Sequence, residues 1–124
     1  MDSDALGWWY RVMRLALTRE VPDLTTRQFA LLLHIGLPPP PHTVRGLAET
    51  LAISKPAVTR ALDRLGGAGF VQRERDPGDR RSVLVTVTPE GERFLRKLEQ
   101  LVCQAGLPQS AGVAAPAAIR SAAC

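Results

Sequence analysis

Residues 54–65 read SKPAVTRALDRL. Ser54 suits a helix N-cap, because its hydroxyl can accept a bond from a free amide of the first turn. Pro56 is tolerated in that turn, where the amide it lacks would have had no intrahelical partner. Val58, Ala61, Leu62 and Leu65 then recur at i, i+3, i+4 and i+7, which is one face of a helix that must turn to a core. Lys55, Thr59, Arg60 and Asp63 are left outside. The first half of this helix is thus expected to present Lys55, Pro56, Ala57, Thr59 and Arg60 to solvent, a surface with no acid and no bulk to prevent close approach.

The neighbouring segments place that helix in a motif. VRGLAETLA, residues 44–52, reads as a shorter helix capped by Thr43, with Val44, Leu47, Ala48 and Leu51 on one face. A very short break at Ile53-Ser54 joins the two. Further upstream, Thr25-Thr26-Arg27-Gln28 is a capping box that opens a helix through FALLLHI, apolar nearly all round and so expected to be central. GLPPPPH cannot continue it, since consecutive prolines lack the amide and force extended geometry. Downstream, the Gly66-Gly67-Ala68-Gly69 cluster ends the helix, and FVQRE and SVLVTV read as strands around Asp76-Pro77-Gly78-Asp79. Pro77-Gly78 suits a type II turn with a positive φ at the glycine. Helix, helix, short break, helix and hairpin make a winged helix-turn-helix. The expected fold is mainly α with a small β-hairpin wing, and its task is to set the second helix of the pair into a DNA major groove.

Two outer helices flank this part. LGWWYRVMRLALTRE keeps Arg11, Arg14 and Thr18 on one stripe, while Leu6, Trp8, Trp9, Tyr10, Val12, Met13, Leu15 and Leu17 are apolar. A helix this apolar must bury more than one side, and another subunit is the expected second cover. The other reading, an internal helix of a monomer, asks a short chain to surround it. A last helix opens at Thr88-Pro89-Glu90 and carries Phe94, Leu98 and Leu101, with Leu95 and Val102 beside them, to about Cys103. Residues 1–20 and 89–104 are thus expected to be dimerisation helices around a DNA-reading part at 43–88, all in one domain of residues 1–104. Residues 105–124, AGLPQSAGVAAPAAIRSAAC, form an Ala-rich tail with no clear apolar face, expected to be poorly ordered or to order only against a partner.

Composition sets the outer bounds. A chain of 124 residues, 45% hydrophobic and 23% charged, fits one ordinary soluble domain. No apolar stretch approaches the roughly 20 residues that span a bilayer, and no signal peptide opens the chain, so a cytoplasmic location is expected. Cys103 and Cys124 are too few for a disulfide framework and are expected to be reduced thiols. The net charge is +4, and 14 of the 16 basic residues are arginine, the side chain that grips phosphate in a fork. No nucleophile with a base and an orienting acid is suggested, and no glycine-rich phosphate loop follows a strand, so an enzyme is not expected. His34 and His42 lack the further ligands a metal site needs, so neither metal nor cofactor is expected.

VRGLAETLAISKPAVTRALDRLGGAGFVQRERDPGDRRSVLVTVTPEG, with the upstream LTTRQFALLLHI, resembles the MarR family of transcriptional regulators. The similarity covers roughly Leu24 to Leu101. Its most specific parts are SKPAVTRALDRL and the D-x-R-S of the wing, Asp79-Arg80-Arg81-Ser82. The resemblance implies a homodimer joined by its N- and C-terminal helices, adding Leu98, Leu101 and Val102 to Leu6, Trp8, Trp9, Tyr10, Met13 and Leu17 at the interface. It implies a repressor on a pseudo-palindromic double-stranded DNA operator, released by a small phenolic or carboxylate effector. It puts Ser54, Lys55, Pro56, Thr59 and Arg60 at the major groove and Arg81 in the minor groove, with Asp79 bracing the loop. Arg73, Arg75 and Arg80 become phosphate neighbours or partners of Glu74 and Asp76.

The family's motif usually has a glycine in the turn after the third helix. Ala52 stands there, so either the turn is a variant or Ala52 carries strain. Gly66 and Gly67 should let the reading helix fray at its end. Trp8, Trp9 and Tyr10 suit either dimer packing or the lining of a pocket for an aromatic guest. A winged-helix module for protein association, its basic face paired to an acidic partner, is the alternative from another functional class.

Overall fold

The computed structural model describes residues 4–106, so the expectation for the tail beyond Gly106 lies outside the described residues. In chain order the elements are α1 (Asp4–Thr18), α2 (Thr26–Gly36), α3 (Val44–Leu51), α4 (Lys55–Gly67), β1 (Val71–Asp76), β2 (Asp79–Val87) and α5 (Pro89–Gln104). The chain divides into two compact units, residues 4–23 with 96–106, and Leu24–Leu95. Length alone suggests one unit; α2 and the first turns of α5 belong with the helix-turn-helix and the hairpin.

Within Leu24–Leu95 the apolar periodicities converge on one core. Leu31, Leu32 and Ile35 of α2 are buried, as are Leu47 of α3 and Val58, Ala61, Leu62 and Leu65 of α4. Phe70 and Phe94 close it from below the hairpin, their rings stacked at 4.4 Å between centroids. The caps are those the sequence implies. The Thr25 hydroxyl accepts the Gln28 amide while the Gln28 side chain accepts the Thr25 amide, and Thr43 and Ser54 cap α3 and α4.

Three helices close through a residue in the left-handed conformation, each followed by an amide that reaches back five positions. Val21 bonds the Ala16 carbonyl after Glu20, Ile53 bonds Ala48 after Ala52, and Phe70 bonds Leu65 after Gly69. Ala52 has φ 54° and ψ 43°, which decides between the two readings of that turn: the geometry is kept and the alanine is strained. Gly66 and Gly67 remain helical, so α4 runs through both instead of fraying before them. Gly91 is needed for a different reason, since a Cβ there would collide with the Phe70 carbonyl where α5 meets the start of β1.

The hairpin is antiparallel and regular from Val71↔Val87 to Arg75↔Val83, and then the register jumps to Asp76↔Asp79. Arg80, Arg81 and Ser82 are therefore left outside the ladder. The turn is not type II: among the described glycines only Gly69 and Gly106 have positive φ. The Asp76 carboxylate accepts the Gly78 amide at 2.9 Å, and this side-chain bond closes the turn without a left-handed glycine. The segment before α3 ties onto β2 through a Thr43↔Leu84 bridge and a bond from the Val85 amide to the His42 carbonyl. His42 is itself buried, with Nε2 3.0 Å from the Pro38 carbonyl and its ring edge-on to His34, so it anchors the proline connector.

In the unit of residues 4–23 with 96–106, Val12, Leu101 and Ala105 form a small core on which Trp8, Leu15, Ala16, Val21 and Val102 pack. Arg11 donates from Nε to the Ala105 carbonyl at 2.8 Å, placing a cation at the C-terminal end of α5, where helix carbonyls are unpaired. Cys103 is disulfide-bonded, which corrects the reduced thiol expected there.

Candidate nucleic-acid interface

The exposed side of α4 is built by subtraction. Its buried residues take one face, and Ser54, Lys55, Pro56, Thr59, Arg60, Asp63 and Arg64 remain in solvent. Ala57 does not join them. It is only 9% exposed, because it stands four residues before Ala61 and eight before Leu65 on the row that meets the core. The expectation that Ala57 is presented to solvent is corrected on that ground. The Ser54 hydroxyl accepts the Ala57 amide at 3.3 Å, so its first task is the cap. Lys55 thus stands at the amide-rich start of a helix, which attracts anions.

The wing presents its arginines on a braced loop. Asp79 accepts the Arg81 amide through Oδ1 at 3.0 Å and the Ser82 hydroxyl through Oδ2 at 3.2 Å. The jump in register thereby gains a defined shape, with Arg80 and Arg81 exposed upon it. Arg75 is exposed as well, beside the jump.

Arg73 behaves differently. Its Nη2 bonds Asp63 Oδ1 of α4 at 2.6 Å, whereas the acids expected for it, if not a phosphate, are Glu74 and Asp76. Strand geometry explains the correction. Successive side chains alternate between faces, so Glu74 and Asp76 lie on the face away from Arg73. Arg73 instead pairs in register with the buried Val85 and shares the face that packs on α4. Helical periodicity marks Asp63 only as an outward residue; its spacing of ten from Arg73 carries no signal until the strand is laid against the helix.

A second surface is apolar. Leu6, Trp9, Tyr10, Met13 and Leu17 of α1 are each at least half exposed, and Leu17 is 81% exposed. With Leu6, Tyr10, Met13 and Leu17 at i, i+4, i+7 and i+11, they line one side of the helix, opposite the side that holds Val12. The Arg14 guanidinium sits over the Tyr10 ring at 5.7 Å. Trp8, Leu98 and Val102 are half-buried. Leu101, expected at an interface between subunits, is 1% exposed in its own chain and is a core residue. Among the described residues no group of three His, Cys, Asp or Glu is placed to hold a metal ion, and no helix is long and apolar enough to cross a membrane.

The MarR-family sequence profile matches residues 23–82, from the loop before α2 to the braced wing. The solved structure of a mutant of MarR from E. coli is 32% identical, with a TM-score of 0.64, over 80% of this chain and 72% of that one. The chain belongs to the MarR family. The same MarR mutant solved in complex with operator DNA matches at 32% identity and a TM-score of 0.63, over 82% of this chain and 66% of that one. The structure of the transcriptional repressor CouR bound to a 23-mer DNA duplex is also similar, at 31% identity and a TM-score of 0.65 over 79% of this chain and 66% of that one. Among curated relatives, the transcriptional regulator HosA of Escherichia coli O111:H- is 38% identical over 76 residues, 61% of this chain and 56% of HosA. The chain spans a little over half the length of the curated MarR-family relatives it matches.

Proposed function

We propose that this MarR-family chain is a sequence-specific DNA-binding regulator of transcription, acting in the cytoplasm as a homodimer on a pseudo-palindromic operator. The observation that carries the proposal is the pairing, within one unit, of an acid-free helix start bearing Lys55, Thr59 and Arg60 with a wing that holds Arg80 and Arg81 outside its ladder. The helix is dimensioned for the major groove and the wing arginines for the narrower minor groove or the phosphates beside it. Two such units related by a two-fold axis read half-sites about one helical turn, roughly 10 base pairs, apart.

The exposed stripe of α1 supplies apolar surface for the second copy, as a solvent-facing row of Leu6, Trp9, Tyr10, Met13 and Leu17 is costly to leave wet. Repression, and release of DNA by a small phenolic or carboxylate effector, belong to the same proposal, with the aromatic residues of α1 as the guest's apolar contacts. Association with an acidic protein partner has no observation in its favour.

Selection of genomic fragments by the purified protein, followed by binding measurements at about 150 mM salt, tests the proposal. Preference for particular fragments over random DNA supports it, and equal affinity for both removes sequence-specific regulation. Adding a panel of aromatic acids to the preformed complex tests the effector.

A further inference from the structure

The reading stripe of α4 carries one acid. Lys55, Thr59 and Asp63 follow one another at i, i+4 and i+8, so the carboxylate of Asp63 stands two turns beyond the lysine on the side proposed to face DNA. A bare acid there would repel a polyanion. It is not bare, because the Arg73 guanidinium meets it at 2.6 Å. The bond lies at the surface, with side-chain exposures of 61% for Asp63 and 34% for Arg73, so it adds little to folding stability. Its consequence for charge is larger: the pair as a whole carries no net charge to offer a phosphate. Among the described residues no carboxylate lies within ion-pair distance of Arg75, Arg80 or Arg81, so Arg73 differs from every other wing arginine.

Resting on the DNA-binding reading above, we infer that Asp63 is an internal counter-ion that withholds Arg73 from the phosphate backbone and so sets the protein's sequence-independent affinity for DNA. Phosphate contacts supply nearly all non-specific binding, and a genome offers millions of competing sites or more, so one arginine withheld per subunit leaves more protein free for its operator. Arg73 then works as a tie between β1 and α4, and the phosphate grip falls to Arg75, Arg80 and Arg81.

The test is the salt dependence of binding to a random-sequence duplex, measured by fluorescence anisotropy from about 50 to 300 mM salt for wild type, D63N, R73Q and the double variant. Each phosphate contact adds about 0.9 to the slope of log K against log salt, or about five-fold in affinity near 150 mM. D63N is expected to steepen the slope by about that amount per subunit. R73Q leaves Asp63 bare and is expected to bind more weakly than wild type, while the double variant, which lacks both charges, is expected to keep the wild-type slope. Circular dichroism should show all four folded alike. A slope in the double variant below that of wild type would mean that Arg73 grips phosphate despite Asp63, and overturns the inference. If D63N and the double variant gain equally, the effect is lost repulsion and Arg73 is not involved, which overturns it too. Wild type that fails to bind the random duplex even at the lowest salt would instead remove the DNA-binding reading, and the inference with it.

Discussion

Asp79 and Arg81 are joined by a short side-chain-to-backbone bond, Oδ1 accepting the arginine amide at 3.0 Å, at the point where the hairpin loses its register. The second oxygen holds the Ser82 hydroxyl. Together they do for Arg80, Arg81 and Ser82 what ladder bonds do elsewhere in the strand: they fix a backbone path and so fix where two arginines leave it. Asp79→Ala removes both bonds. Operator affinity should fall about ten-fold, in keeping with the roughly 1.5 kcal/mol of a lost hydrogen bond that orders a binding loop, while the melting temperature moves little because the loop is exposed. Asp79→Asn keeps an acceptor for the Arg81 amide but loses the one for Ser82, and should fall between. Binding titrations beside thermal melts separate the two effects, and equal operator affinity in all three proteins would deny the brace its role.

The strain at Ala52 leads to a second expectation. A residue other than glycine, asparagine or aspartate in the left-handed region costs about 1 kcal/mol, and glycine relieves it with some loss to the entropy of the unfolded chain. Ala52→Gly should therefore raise stability by about 0.5–1 kcal/mol, visible as a rise of a few degrees in melting temperature. Operator affinity should be unchanged, since the backbone already has the glycine conformation.

These two cases mark how far the sequence can be read. Periodicity places Val58, Ala61, Leu62 and Leu65 in the core, and short-range chemistry places the Thr25, Thr43 and Ser54 caps, because both depend on neighbours within a few residues. Periodicity misplaces Ala57 although Ala61 and Leu65 mark its row; a small side chain gives the pattern too little weight. The wing is harder. Its turn, its register jump and the partner of Arg73 are each decided by a carboxylate, Asp76, Asp79 or Asp63, choosing among several donors. For Arg73 the choice rests on which face of β1 turns to α4, a tertiary fact that charge composition does not contain.

The proposed dimer separates two leucines that the sequence places on one interface. Leu17 is 81% exposed and Leu101 is 1% exposed, so their substitutions should fail in different ways. Met13→Glu with Leu17→Glu should leave each chain folded and yield monomers in sedimentation velocity, with operator binding lost because a single half-site is held weakly. Leu101→Ala should cost about 2–5 kcal/mol of folding stability through the cavity it opens beside Val12 and Ala105. A Met13/Leu17 variant that sediments as a dimer would mean that the second copy docks elsewhere.

Lys55 and Arg81 carry the same charge but are placed for different work. Lys55 stands at the start of α4 as a flexible point charge, suited to a phosphate at any sequence. Arg81 leaves a braced loop at the edge of the hairpin, suited to a minor groove whose width and potential vary with A·T content. Lys55→Ala should lower affinity for operator and random DNA alike and reduce the salt slope by about 0.9 per subunit. Arg81→Ala should weaken the operator more than random DNA, and its loss should shrink when A·T-rich steps beneath the wing are replaced by G·C. Anisotropy titrations on the original and replaced operators, across salt, resolve both terms. Equal losses on every duplex from both substitutions would assign the wing to phosphate alone and leave α4 as the sole reader of sequence.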